Sequence, residues 1–236
     1  MMIEFQNVSY SHNNDSGVKN LSFQIDDGEF AFLIGPTGSG KTTLMRLIYF
    51  DLIPDSGIVN TGKFSSNKMT KKKKPKARLD IGMVFQDYKL LTDRNLFENL
   101  ALPLHVQGLP SREIADRIDE ALELVGLTNK KFHLPSQMSG GEQQRSCLAR
   151  AIVKEPNILL ADEPTGNLDP VASFELVRLL ETINEMGTTI LMASHNYNLI
   201  KGRGRRGTKW FSTKQKSLTF SIILDYHDII KKRLKQ

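Results

Sequence analysis

The sequence holds one cysteine, Cys147, and that scarcity alone removes several readings. A single thiol closes no intrachain disulfide, and no metal-ligand spacing surrounds it, so a disulfide scaffold and a cysteine-based metal site are both excluded. Cys147 reads instead as a small core residue of a helix. No stretch approaches the ~20 consecutive apolar residues that a bilayer-spanning helix needs. The start, Met1-Met2-Ile3-Glu4-Phe5, has no basic region followed by an apolar run, so no secretory signal is expected. Internal repeats and coiled-coil heptads are missing as well. Together these absences point to the cytosol.

Acidic residues are scarce in two places. Lys63 to Arg78 holds eight Lys/Arg and no acid, and Lys201 to Gln236 holds eleven Lys/Arg against two acids. The last segment therefore carries +9, residues 1–200 carry −3, and the net +6 describes neither part. Basicity confined to two patches does not imply a nucleic-acid groove across the body, and no nucleic acid is expected as a partner. What is present is an ordinary globular mixture. Its 236 residues, 39% hydrophobic and 25% charged, suffice for one core with a closely packed subdomain.

Apolar alternation marks strands at Ile3, Phe5 and Val8-Ser9-Tyr10 and again at Leu21, Phe23 and Ile25. After the Asp26-Asp27-Gly28 turn, Phe30 to Ile34 is a short buried strand, and Gly40 to Ile53 reads as a helix. Ile81 to Phe85 is a further strand. From Leu90 to Lys154 the pattern turns helical, with Ser111 as an N-cap, Ile114, Ile118, Ala121, Leu122 and Val125 on one face, and Gly126 as a stop. A strand at Ile158–Ala161, a helix from about Pro170 to Met186 and a strand at Thr188–Ala193 complete the alternation. Buried strands alternating with helices argue for a mostly parallel sheet, with the helical stretch inserted into it.

Gly35-Pro36-Thr37-Gly38-Ser39-Gly40-Lys41-Thr42 fits G-x-x-x-x-G-K-[ST] and lies between an apolar strand and a helix, the context that pattern requires. Its glycines let backbone N–H groups turn in around phosphate oxygens, and the helix N-terminus adds its positive dipole end. Lys41 is then set to reach the β- and γ-phosphates, and Thr42 to bind Mg²⁺. The second motif is Ile158-Leu159-Leu160-Ala161-Asp162-Glu163, an apolar strand ending in two acids. Carboxylates there lie at the C-terminal edge of the sheet, where ligands of open α/β sheets bind. Asp162 suits Mg²⁺ and Glu163 suits activation of an attacking water.

The third motif narrows the class. Met138-Ser139-Gly140-Gly141-Glu142-Gln143-Gln144-Arg145 resembles the signature of the ABC ATPases, and it precedes Asp162 as in that family. Physically it is a second glycine-rich helix start, another anion site. The resemblance covers residues 1 to about 200. It implies a P-loop NTPase (RecA-like) α/β fold: a mostly parallel sheet, an antiparallel β-subdomain, and an inserted α-helical subdomain at about 89–155. It also implies a Mg²⁺-dependent ATPase working as a homodimer on ATP. By that likeness Gln86 is the Q-loop glutamine and a contributor to Mg²⁺ binding. Asn167-Leu168-Asp169 resembles the D-loop, and His195 the switch histidine. Thr43 joins the nucleotide contacts of the phosphate loop. Ser139, Gly140 and Gly141 meet the γ-phosphate across the dimer, because the signature and the phosphate loop of one chain do not meet. The family's adenine-stacking aromatic is replaced by His12 at the matching spacing, with Tyr10 two residues away on the same face, and both rings stay open as the stacking partner.

Within the family, several stretches are similar to the FtsE-type cell-division ATPases. They include Leu47-Ile48-Tyr49, Ile81 to Tyr88 with Leu90-Leu91, and Leu191-Met192-Ala193-Ser194-His195-Asn196-Tyr197. This likeness implies an integral membrane FtsX-like permease subunit as partner and a peripheral position on the cytoplasmic face of the inner membrane. Lipoprotein-releasing and macrolide-exporter ATPases share Ala161 to Asp169 and are the alternative. A DNA-handling ABC ATPase needs long coiled-coil arms, and the ~50 residues between Gln86 and Ser139 are too few for them.

Two regions depart from the family. Lys71-Lys72-Lys73-Lys74-Pro75-Lys76 reads as a solvated loop in preference to a contact with acidic lipid. Residues 201–236 form a divergent basic segment beyond the ATPase domain at 1–200, and divergence and a frameshift both account for it. It shows strand-like alternation at Leu218, Phe220, Ile222 and Leu224, and then a stripe of Tyr226, Ile229, Ile230 and Leu234 beside Lys231, Lys232, Arg233 and Lys235. Such a stripe either covers the body or lies on an anionic membrane surface.

Overall fold

The computed structural model describes residues 3–13, 16–196, 209–214 and 217–223. Strands β1 (Ile3–Asn13), β2 (Ser16–Ile25), β4 (Ser56–Thr61) and β5 (Phe64–Ser65) form a four-stranded antiparallel sheet in the order β2-β1-β4-β5. The larger sheet has the order β10-β9-β3-β8-β7-β6, built from β3 (Phe30–Ile34), β6 (Ile81–Val84), β7 (Ile158–Asp162), β8 (Thr189–Ser194), β9 (Lys209–Lys214) and β10 (Ser217–Ile223). All its pairs are parallel except β10 with β9.

Helices cover this sheet, as the continuous apolar runs of β3, β7 and β8 require. Leu159 and Ala161 of β7, with Phe32 and Ile34 of β3, join the core formed with α3 (Leu96–Gln107), α4 (Ser111–Leu124), α5 (Gly140–Ile152) and α6 (Pro170–Glu185). Their neighbours in sequence, Ile158, Leu160, Ala31 and Leu33, point the other way. They pack with α1 (Lys41–Ile48) and the apolar face of the antiparallel sheet, where Phe5 and Phe23 stack at 4.5 Å. The period of two along each strand thus divides the apolar residues between two cores.

Several boundaries differ from the sequence expectation. Helix α1 stops at Ile48 rather than Ile53, because Phe50 takes a left-handed conformation (φ 54°) to bury its ring, and the N–H groups of Asp51 and Leu52 turn back to the Arg46 carbonyl. Ser111 is the first residue of α4 and not its cap, which is Pro110. The lysine run is not all loop. Pro75 sits in the first turn of a short helix, α2 (Lys74–Leu79), whose Ala77 is buried while Lys71, Lys72, Lys73 and Lys76 face solvent. Beyond residue 200, β9 hydrogen-bonds in parallel to β3, and Phe211 is buried 4.9 Å from the Phe23 ring. This strand pair therefore packs on the body. The Gly-Arg stretch at 201–207 and the stripe from Tyr226 to Leu234 lie outside the described residues. No helix among the described residues is long and apolar enough to cross a membrane.

Candidate active site

Three adjacent parallel strands deliver the motifs to one edge. Ile34 pairs with Ser194 and Ala193 pairs with Asp162, so Gly35, His195 and Glu163 each follow where their strand ends. That edge is the carboxyl end of the sheet, where ligands of such folds bind.

The phosphate-loop sequence turns there through two left-handed glycines, Gly38 (φ 78°) and Gly40 (φ 91°), a conformation that penalises any residue with a Cβ. Gly40 caps α1 without a side chain, so the first N–H groups of that helix, those of Lys41 and Thr42 among them, face the loop. Lys41 is buried, and its Nζ donates to the Gly35 carbonyl at 2.8 Å and the Pro36 carbonyl at 3.1 Å. Pro36, Thr37 and Ser39 form the turn, closed by the Ser39 N–H donating to the Pro36 carbonyl. An uncapped helix start beside one buried ammonium suits a polyphosphate.

Lys41 also reaches across to β7. Its Nζ lies 3.1 Å from Glu163 Oε1, and Glu163 Oε2 accepts from the His195 backbone N–H at 3.1 Å and contacts His195 Nδ1 at 2.8 Å. Glu163 is itself left-handed (φ 48°), and its N–H donates to the Ala193 carbonyl, which turns the carboxylate back over the edge. Strain of this kind in a non-glycine residue concentrates at functional sites. Asp162, one residue earlier, is buried. Burial pushes its carboxyl pKa up, a hydrogen bond with Thr42 opposes that, and the nearby Glu163 charge adds to the rise. Asp162 Oδ1 is buried without a hydrogen-bond partner. An orphaned carboxylate oxygen on a residue hydrogen-bonded with Thr42 offers the hard oxygen donors that Mg²⁺ takes, so Asp162 and Thr42 fit that ion, and the Gln86 amide could supply a further oxygen.

Gln86 follows β6. Its side-chain amide abuts Gly166, where an added Cβ would lie 3.2 Å from Gln86 Nε2, and its carbonyl accepts from Asn167 Nδ2 at 3.3 Å. Asp169 caps α6, accepting from the N–H groups of Val171 and Ala172. The signature residues stand apart from this cluster. Ser139 caps α5 in a reciprocal box with Glu142, whose carboxyl the Ser139 N–H holds below its usual range. A Cβ on Gly140 would lie 3.2 Å from the Tyr88 hydroxyl, and one on Gly141 3.6 Å from Ala172 Cβ. His12 Nε2 is 3.1 Å from Thr43 Oγ1, and the Tyr10 ring meets His12 edge-on at 4.9 Å. Both rings named for the base therefore sit beside the first turn of α1.

Sequence reasoning missed Gly166 and the half-buried Arg150 behind the loop that follows Gln86. Gly166 carries no pattern of its own, because what it needs is room for Gln86. The helix expected from about Pro170 is α6, and only the capping role of Asp169 went unnamed in the sequence reading.

The family model described as ABC transporter matches residues 18–166. The chain belongs to this family of ATP-binding cassettes. It is similar to the cell division ATP-binding protein FtsE of Streptococcus pneumoniae, 45% identical over 200 residues that span 84% of this chain and 87% of the relative. FtsE of Mycobacterium tuberculosis is likewise 45% identical over 208 residues, 87% of this chain and 90% of that one. Among solved structures, a dimeric ATP-binding cassette bound to ADP and Pi in a post-hydrolysis state aligns with a TM-score of 0.82 at 30% identity, covering 94% of this chain and 99% of that chain.

Proposed function

We propose that the chain is the ATP-binding and ATP-hydrolysing subunit of an FtsE/FtsX-like cell-division complex. It would dimerise on ATP and drive a conformational change in an integral membrane partner. The observation that carries the reading is the buried Lys41–Glu163 ion pair at the sheet edge, contacted by the exposed His195 and next to the orphaned Asp162 oxygen.

In this reading the N–H groups of Gly38 to Thr43 cradle the phosphates, and Lys41 turns from Glu163 toward the β- and γ-oxygens. Glu163, released from that ion pair, accepts a proton from the attacking water, and His195 keeps its carboxylate oriented through Oε2. Mg²⁺, held by Thr42, Asp162 and Gln86, would neutralise charge on the bridging phosphates. Gln86 lies beside the Gly166-Asn167 turn and links the nucleotide to it. His12 or Tyr10 stacks on the adenine. Ser139, Gly140 and Gly141 form a separate helix start, suited to the γ-phosphate held by a second copy of the chain.

The membrane partner is supported by the FtsE likeness and by exposed apolar side chains on or beside the helical subdomain, Leu102, Val106, Phe132 and Leu134. That partner would hold the chain at the cytoplasmic face of the inner membrane, with the basic residues near the C-terminus adding attraction to anionic lipid. The division of the chain after about residue 200 belongs to the same reading, with β9 and β10 serving as an added edge of the ATPase sheet.

The test is a pair of substitutions. Glu163→Gln keeps the phosphate cradle and is expected to accumulate an ATP-bound dimer on gel filtration. Lys41→Ala is expected to weaken nucleotide binding itself. A Glu163→Gln protein that hydrolyses ATP at the parent rate would overturn the role given to that carboxylate.

A further inference from the structure

The loop that follows Gln86 contains two consecutive left-handed residues that are not glycine, Tyr88 (φ 57°) and Lys89 (φ 51°). Backbone of this kind persists only where its surroundings over-determine it. Here the surroundings are one face of α5. Arg150 Nη1 donates to the Lys89 carbonyl at 2.6 Å and Nη2 to the Tyr88 carbonyl at 3.1 Å, a fork laid over two successive peptide groups. Cys147, one turn earlier, donates its thiol to the same Tyr88 carbonyl at 2.9 Å. Two turns earlier again, Gly140 leaves room for the Tyr88 hydroxyl, so this one residue meets the helix at its N-terminus and near its C-terminus.

Arg150 is a cation without an acidic partner among the described residues. Burial lowers its pKa, and its guanidinium is met by carbonyls instead of carboxylates. That arrangement needs a planar fork, which arginine has and lysine lacks. Just past the end of α5, Lys154 donates to the carbonyl of Ile81, the first residue of β6, and to that of Arg78 in α2. Between these grips Gly82 brings the strand so close that a Cβ would lie 2.8 Å from the Ala151 carbonyl oxygen. Strand β6, with Gln86 two residues past its end, is thus fastened to α5, which starts at the signature.

We propose that Arg150 is a positioning residue. It holds the loop after Gln86 in register with α5, so that Gln86 and the Ser139–Gly141 helix start move together. The inference rests on the reading of those two groups as nucleotide contacts. Arg150 acts through the Tyr88 and Lys89 carbonyls, and a purely structural role would change stability alone.

The test compares Arg150→Met and Arg150→Lys with the parent chain by steady-state ATPase kinetics and by hydrogen–deuterium exchange. Arg150→Met is expected to lower kcat about tenfold or more with KM changed less than about threefold, because the phosphate loop that sets binding is untouched. Amides 86–91 should exchange faster while those of the phosphate loop do not. Arg150→Lys keeps the charge but satisfies one carbonyl at a time, so it should fold and recover only part of kcat. Unchanged exchange at 86–91, or a lowered melting temperature with parent-like kcat in Arg150→Lys, would overturn the proposal. If the parent chain itself fails to hydrolyse ATP, the functional reading falls. The exchange at 86–91 then still decides whether Arg150 holds the loop.

Discussion

At the scale of single residues, charge and burial are set against each other at several points, and Lys154 gives the cleanest case. Its ammonium is mostly buried, which pulls its pKa down to about 8 from an ordinary 10.5, with Asp80 opposing the shift. Below pH 8 the folded and unfolded chains both hold the proton. Between about pH 8 and 10.5 only the unfolded chain holds it, so this residue makes stability rise with pH, by up to about 1.4 kcal/mol per unit. Urea unfolding of the parent chain and of Lys154→Met at pH 7.5, 8.5 and 9.5 checks this. The parent should gain on the variant as pH rises, and parallel curves would remove the effect. The phosphate loop, by contrast, was readable from sequence because its chemistry is built from glycine backbone and one lysine, so pattern and geometry coincide. Arg150 was not readable. Its partners are carbonyl oxygens, which every residue has, so nothing in the identities of Tyr88 and Lys89 announces them.

Among the elements, the strands with unbroken apolar runs were legible and the short or polar ones were not. Strands β3, β7 and β8 lie where alternation and length put them, because both faces of a covered sheet must be apolar. Helix α2 was hidden by its lysines, whose stems project outward and leave only Ala77 to mark a buried face. The strand pairing of β9 and β10 was half visible: alternation at Leu218, Phe220 and Ile222 announced β10, but nothing announced β9, whose other partner, β3, lies far away in sequence. Phe211 gives that pairing an energetic meaning. Phe211→Ala should destabilise the chain by about 3–5 kcal/mol, the usual cost of emptying a buried phenyl site. A variant within about 1 kcal/mol of the parent in urea would show that β9 contributes little to the core. Gly82→Ala tests the contact of α5 with β6. Its new methyl meets a backbone oxygen that cannot rotate away, and overpacking of this kind costs about 1–3 kcal/mol.

For the molecule as a whole, the two helix starts proposed to bind phosphate face different neighbours. That of α1 opens on the edge shared by β3, β7 and β8, whereas that of α5 opens beside Tyr88 and α6. A protein that needs both for one nucleotide must bring two copies together. ATPase activity is accordingly expected to rise faster than linearly with protein concentration in the range where monomers predominate. Strict proportionality down to high dilution would mean that one copy suffices. Sequence motifs named both helix starts, but that they face different neighbours is a property of the assembled sheet and became visible only there.

The thiol that donates to the Tyr88 carbonyl has a practical corollary. Burial pushes Cys147 up to about 12, so on the order of one molecule in 10⁵ carries the reactive thiolate at neutral pH. The ring of core side chains around it also leaves no path for a reagent, since only 1% of the residue is exposed. The native chain should therefore be silent toward maleimides and take up one equivalent only after denaturation. Any cysteine introduced on its surface would then be the sole site labelled, and a spectroscopic probe could follow the approach of two copies without first removing the one thiol that donates to the loop after Gln86.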